Sequence, residues 1–279
     1  MRVLLKGIQV SLALFLIVGL LFASAVFGVL LYARITGKVW FEEGTAAASI
    51  AYAKDQGSKQ DSAAAPSSGT AQAQAPASVL LDAPAIRQLP ELRSGCEVTS
   101  LAMLLQYYHV DKSKLELAGE MKMDPTPIRW NSDGSIASWG NPNLGFVGDV
   151  TGASKGFGIY HTALYELLKK YAPSAVDLTG KPFDGLEKKL RSGIPSVVWT
   201  TIDYNVPDKW VVWDTPIGPI QTTFMEHAVL LVGYDGEFVY VNDPLTGRGK
   251  QKIEKERFVA SWEAMGRQAL SLTVPPNKS

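Results

Sequence analysis

The sequence predicts an α+β domain, and three observations carry that expectation. Apolar residues recur at helical spacing in the first half of the globular region. Alternating or continuous β-branched runs dominate the second half. Two of those runs are separated by Asp235-Gly236, a turn dipeptide that joins adjacent antiparallel strands. Helices first and hairpin-linked strands later place a helical part against an antiparallel sheet rather than in a wound parallel one.

Ahead of that domain lies a different kind of chain. Gly7 to Ala33 carries no charged side chain, and Ile8 to Tyr32 as a helix would span about 37 Å, enough to cross a bilayer. The apolar run continues past the small-residue triplet Ala23-Ser24-Ala25, so an uncleaved single-span anchor is expected over residues 1–43. Residues 44–78 are rich in Ala, Ser, Gly and Gln, and read as a flexible tether. Residues 79–279 hold the globular mass. Arg2 and Lys6 on one flank of the apolar run are matched by Arg34 and Lys38 on the other, so charge does not orient it. The long spacer instead suits a domain that must clear a cell envelope, and an extracytoplasmic placement is expected.

Composition removes other classes. With 27 basic and 27 acidic side chains the formal charge is zero and no basic stripe is visible, so nucleic acid is not an expected partner. A single cysteine excludes an intramolecular disulfide. Three histidines and that cysteine lack metal-ligand spacing, and neither a metal nor another cofactor is expected.

Within the domain the spacing predicts a helix over 95–108, from Val98, Leu101, Leu104, Leu105 and Tyr108. Ser94 followed by Glu97 supplies a capping-box pattern in front of it. Cys96 falls in its first turn, where free N–H groups and the helix dipole are expected to lower a thiol pKa; Gly95 leaves room for a substrate backbone. A short helix follows over 114–121, then a long loop-like stretch over 124–158. Its glycine-rich part, "GFVGDVTGASKGFG", lacks the lysine of a phosphate loop and reads as a cleft wall. Helices are expected over 160–171 and 182–192, and strands over 195–202, 228–234, 238–242 and 268–274. Trp199, Trp210 and Trp213 suit either core packing or a groove for an extended peptide. His109 and His161 read as structural or surface residues.

His227 stands at the mouth of "HAVLLVGY" and Asp243 at the end of "FVYVND", the run joined to it by the Asp235-Gly236 turn. A tight hairpin brings these two ends together, which is the geometry of a general base and its orienter. Asn242 is the alternative orienter, and since strand alternation sends Asn242 and Asp243 to opposite faces only one can serve. If the helix carrying Cys96 packs its N-terminus against that end of the sheet, a thiol, an imidazole and a carboxylate converge.

These residues, taken with "QLPELRSGCEVTSLAML", "GFVGDVTG", "GIPSVVWTT", "EHAVLLVGYDGEFVYVNDPLTG" and "FVASWEAMGRQAL", resemble the C39-like peptidases, cysteine peptidases of papain-like fold, in the stand-alone form without a transporter. The match runs over most of Pro84 to Leu272. The resemblance implies Cys96 as nucleophile, His227 as general base and acid, Asp243 as orienting carboxylate, and Gln88 as an oxyanion-hole donor. It implies a peptide or protein substrate, with the membrane reached through the N-terminal helix. The chain has no ATP-binding motif and one apparent span, so export-coupled leader processing does not carry over. The same arrangement would serve an amidase or transpeptidase on cell-wall peptide, or, without catalysis, a peptide-binding module.

Overall fold

The computed structural model describes residues 78–273. The anchor expected over residues 8–32, its flank to residue 43 and the tether over 44–78, save its last residue, lie outside them. No helix among the described residues is long and apolar enough to cross a membrane.

The chain enters with a two-residue strand, β1 (Val79–Leu80), then forms helices α1 (Cys96–Tyr107) and α2 (Lys114–Glu120). Five short strands follow where a loop was expected: β2 (Met123–Asp124), β3 (Arg129–Trp130), β4 (Ile136–Ser138), β5 (Phe146–Gly148) and β6 (Gly156–Gly158). None exceeds three residues, too short for a two-residue period to show in sequence. After α3 (His161–Tyr171), β7 (Ala175–Asp177) and α4 (Phe183–Arg191) come the long strands. These are β8 (Ser196–Thr201), β9 (Val211–Thr215), β10 (Gly218–Thr222), β11 (Glu226–Tyr234), β12 (Phe238–Asp243) and β13 (Arg248–Glu254). Helix α5 (Lys255–Ala264) and β14 (Ala269–Leu272) complete the order.

A seven-stranded antiparallel sheet runs β13-β12-β11-β8-β14-β7, with β1 paired to the far half of β11. Strands β8 and β11 are buried at every position because both faces of the sheet are covered. Val197, Trp199, Ala228 and Leu230 pack with α1 and α3 on one face. Val198, Val229 and Leu231 pack with Leu186 and Leu190 of α4 and Phe258 and Trp262 of α5 on the other. Burying both faces of a continuous apolar strand removes Val and Leu side chains from water at about 1.5–3 kcal/mol each, and sets β11 as the spine of the fold.

Two smaller sheets, β10-β9-β4-β3 and β2-β5-β6, stand beside this core. An aromatic cluster joins the two to each other and belongs to the same buried core as α1 and α3. Phe157 of β6 meets Trp213 of β9 edge-on at 5.2 Å between ring centroids, Trp139 lies 5.7 Å from Trp213, and the Trp213 indole N–H donates to the Gly140 carbonyl at 2.9 Å. Trp199 and Trp213 are therefore core residues, while Trp210 is exposed.

Helix α1 begins one residue later than expected, with Gly95 as its N-cap and no side-chain cap. The Ser94–Glu97 capping box does not form; a complete one occurs at α2, where Ser113 and Glu116 exchange hydrogen bonds. Nor is Gly95 an open position. A Cβ there would lie 2.6 Å from Leu92 Cβ, so the glycine serves close packing of the chain that precedes the helix.

Candidate active site

Cys96 is the first residue of α1, so its N–H is among the first-turn amides that lack an intrahelical acceptor. The helix rests on β11 through the Ser100 hydroxyl, which donates to the Ala228 carbonyl at 3.1 Å. That seat brings the sole cysteine beside residues far along the chain. A cavity of about 140 Å3 is walled by Gln88, Cys96, Gly156, Phe157, Glu226 and His227. The glycine-rich stretch supplies two of these residues and so forms one wall, as its sequence suggested.

His227 sits inside β11 rather than at its mouth, since the strand extends two residues further than expected. Its Nε2 lies 2.9 Å from Asp243 Oδ1, with both side chains almost wholly buried. The register explains the meeting. Leu230 pairs with Asn242, so Asp243 stands one step beyond, on the sheet face to which His227 alternates. Asp243 is held in turn by the Leu245 N–H at 2.8 Å and the Tyr204 hydroxyl at 3.4 Å. Burial pushes the Asp243 carboxyl up, but the His227 hydrogen bond and charge outweigh it and hold it below the ordinary range.

Asn242 is committed elsewhere. Its amide donates to the Ala83 and Pro84 carbonyls, each at 2.9 Å, and its carbonyl accepts the Lys250 N–H at 2.8 Å. It pins the N-terminal arm to the sheet, leaving Asp243 as the residue on His227.

Gln88 also reaches the cavity. Its backbone is fixed by Gln88 N–H to Pro244 O at 2.8 Å and by the Lys114 ammonium on its carbonyl at 2.9 Å. One side-chain N–H donates to Arg93 O at 2.9 Å, and Oε1 has no partner among the described residues.

The thiol departs from expectation. Its hydrogen bond goes to Glu97 Oε2 at 3.4 Å, not to His227. Burial first, then the nearby Glu97 and Glu226 carboxylates, push the Cys96 thiol well up, against the helix terminus that was expected to lower it. The dipole of one helix is worth about 0.3–1 kcal/mol at a surface, which full desolvation and the neighbouring acidic groups overcome.

Glu97 and Glu226 are the residues that sequence reading missed. Both are buried, and Glu97 Oε1 accepts the Ile159 N–H at 2.7 Å, while the Ile159 carbonyl takes the Trp199 indole N–H at 3.1 Å. Burial pushes Glu97 up to about 7 and Glu226 well above the carboxylate range, and two carboxyls this close cannot both ionise cheaply. The available signal was a lone acidic residue opening each of two otherwise apolar elements, next to Cys96 and next to His227.

His161 is structural, as expected: its Nδ1 lies 2.6 Å from Asp177 Oδ2. His109 is exposed, in the left-handed region with φ 62°. Trp210 lines a second cavity of about 370 Å3, with Trp130, Lys155 and Phe224. Phe224 also borders the cavity at Cys96, so the two hollows adjoin. A larger hollow of about 820 Å3, beside α5 and the β11–β12 turn, holds glutamates and one lysine and no nucleophile. Volume alone does not mark the chemistry here.

Residues 80–270 match the family model described as the Peptidase_C39 like family. YvpB, an uncharacterized protein of Bacillus subtilis (strain 168), is 41% identical over 182 residues, covering 65% of this chain and 70% of that protein. A crystal structure from Bacillus anthracis, described as a C39-like peptidase, is 43% identical with a TM-score of 0.63, covering 70% of this chain and 97% of that one.

Proposed function

From the premise that this chain belongs to the C39-like peptidase family, we propose that it is a membrane-anchored cysteine peptidase that hydrolyses peptide bonds through Cys96, His227 and Asp243. The observation that carries this reading is the 2.9 Å contact of His227 Nε2 with Asp243 Oδ1 on the cavity that also holds the only thiol of the chain. With Nε2 engaged by Asp243, Nδ1 is the ring nitrogen left to accept a proton.

Burial and the neighbouring carboxyls push the Cys96 thiol well up, which favours general-base removal of its proton over a standing ion pair. His227 Nδ1 takes the Sγ proton as sulfur bonds to the scissile carbonyl carbon. The carbonyl oxygen becomes an oxyanion, and the Cys96 N–H and the Gln88 amide are the donors offered to it. The C–N bond then breaks, His227 returns the proton to the leaving amine, and a thioester remains. Water, deprotonated by the same imidazole, releases the acid and restores the thiol. Asp243 keeps the ring in one tautomer throughout. The adjoining aromatic hollow at Trp210 and Phe224 favours an extended peptide over a small amide, since it lengthens the cleft along one direction.

The anchor over residues 8–32 and the tether behind it belong to this proposal, with the catalytic domain held outside the cytoplasmic membrane. The test is hydrolysis of unfolded protein by the purified full-length chain in detergent, beside a Cys96→Ala variant of equal thermal stability. Cleavage by the parent and none by the variant is the expected result; equal turnover by the two ends the proposal. Peptidoglycan fragments run in parallel separate peptidase from amidase or transpeptidase activity.

A further inference from the structure

Cys96, Glu97 and Glu226 each offer a ligand atom, all within 4.8 Å of one another and all buried. We propose that these three side chains form a binding site for a thiophilic divalent cation of the zinc class, and that the nucleophile is silent while the site is filled. The spacing along the sequence gave no hint of it, because Glu226 is delivered by β11 to a helix start that is remote in the chain.

Three observations carry the proposal. The first is fit. Tetrahedral zinc with one sulfur and two oxygens needs ligand separations of about 3.5 Å, and Cys96 Sγ to Glu97 Oε2 is already 3.4 Å. The second is unmet demand. Glu226 is only 7% exposed, yet its Oε1 has no hydrogen-bond partner among the described residues. The third is independent of the acidic pair. Gln88, 2% exposed on the same cavity, carries a second unpartnered acceptor, Oε1, suited with a water to complete the coordination. Buried acceptors left bare are costly, and a cation satisfies several at once.

The chemistry selects the ion. A thiolate with two carboxylates is a borderline-soft set for zinc or cobalt, whereas magnesium and calcium demand six or more hard oxygen ligands. On binding, the Cys96 thiol proton and the proton held by the carboxyl pair pass to solvent, and the metal takes their place. No electron is transferred. Binding at these residues stands apart from the hydrolytic reading; only its inhibitory consequence depends on that reading.

The test uses the purified full-length chain in detergent and two readouts that do not involve hydrolysis. Cobalt is titrated while thiolate-to-cobalt charge-transfer absorption is followed, and alkylation of the sole cysteine is timed with zinc, with magnesium and with neither. The expected result is about one equivalent of cobalt bound with a charge-transfer band, and alkylation slowed at least about tenfold by zinc but not by magnesium. Glu226→Gln, matched to the parent in thermal stability, is expected to weaken binding at least about tenfold. If that variant does not fold, the two parent readouts decide. Alkylation unchanged at saturating zinc, cobalt bound without a thiolate band, or binding undiminished in Glu226→Gln each overturns the site. A chain that cleaves nothing yet shows these signals refutes the peptidase reading and leaves the site standing.

Discussion

His227 and Asp243 meet at 2.9 Å on one face of the central sheet, while Asn242, one residue earlier, turns to the other face and ties down the N-terminal arm. The two neighbours therefore fail differently. Asp243→Asn is expected to lower kcat/KM for peptide hydrolysis by about 10²–10⁴-fold with little change in melting temperature, since the tautomer is lost and the packing kept. Asn242→Ala is expected to lower the melting temperature, with kcat largely retained in the folded fraction. Parallel kinetics and thermal scans check both.

The carboxyl pair beside Cys96 predicts the behaviour of its thiol. Burial and the Glu97 and Glu226 charges raise the Cys96 pKa, so alkylation of the free chain at neutral pH is expected to be slower than that of free cysteine, accelerating as pH rises. Glu226→Gln removes one of the opposing charges, and its alkylation profile is expected to move to lower pH. A profile that stays in place or moves upward contradicts the assigned cause.

Asp177 predicts an acid limit. Burial raises its carboxyl, but hydrogen bonds from His161 and Thr179 outweigh this and hold it below the ordinary range. A carboxyl depressed in the folded state contributes stability above its unfolded pKa, near about 4, and that contribution is lost as pH falls through the folded value. Asp177→Asn is expected to be less stable than the parent at pH 7, the gap closing as the pH is taken below about 4. Denaturation midpoints across that range measure it.

Trp262 fills the face of the sheet opposite Cys96, fully buried, its indole N–H donating to Gln268 O at 3.0 Å. Trp262→Ala is expected to cost about 3–5 kcal/mol of unfolding free energy, the range for a large core aromatic left as a cavity. Chemical denaturation of variant and parent checks this. The alkylation rate of Cys96 in the folded variant is expected to stay near the parental value.

Trp210 is exposed and lines the hollow that adjoins the cavity at Cys96. Trp210→Ala is expected to raise KM for extended peptides several-fold and leave kcat for a minimal substrate unchanged. Steady-state kinetics on long and short substrates separate the two parameters.

The sequence alone marked α1, α3, α4, β8, β11 and β12, whose burial writes a period into the chain, but not β9, β10, β13 or α5, few of whose residues are buried. Val98, Leu101, Leu104 and Leu105 mark one helix, and the unbroken apolar runs of β8 and β11 mark strands covered on both faces. It also placed His227 beside the end of the next strand, since the Asp235-Gly236 turn fixes the strand order locally, but left Asn242 and Asp243 both open as its partner until the register decided. The five short strands between Met123 and Gly158 were illegible, being held by neighbours rather than by their own periodicity. The state of the thiol was illegible for a stronger reason. Position in a helix predicts a modest local stabilisation of charge, whereas desolvation and the approach of Glu226 from another strand are properties of the assembled interior. Only the tertiary structure decided that burial and two neighbouring carboxyls push the Cys96 thiol up rather than down.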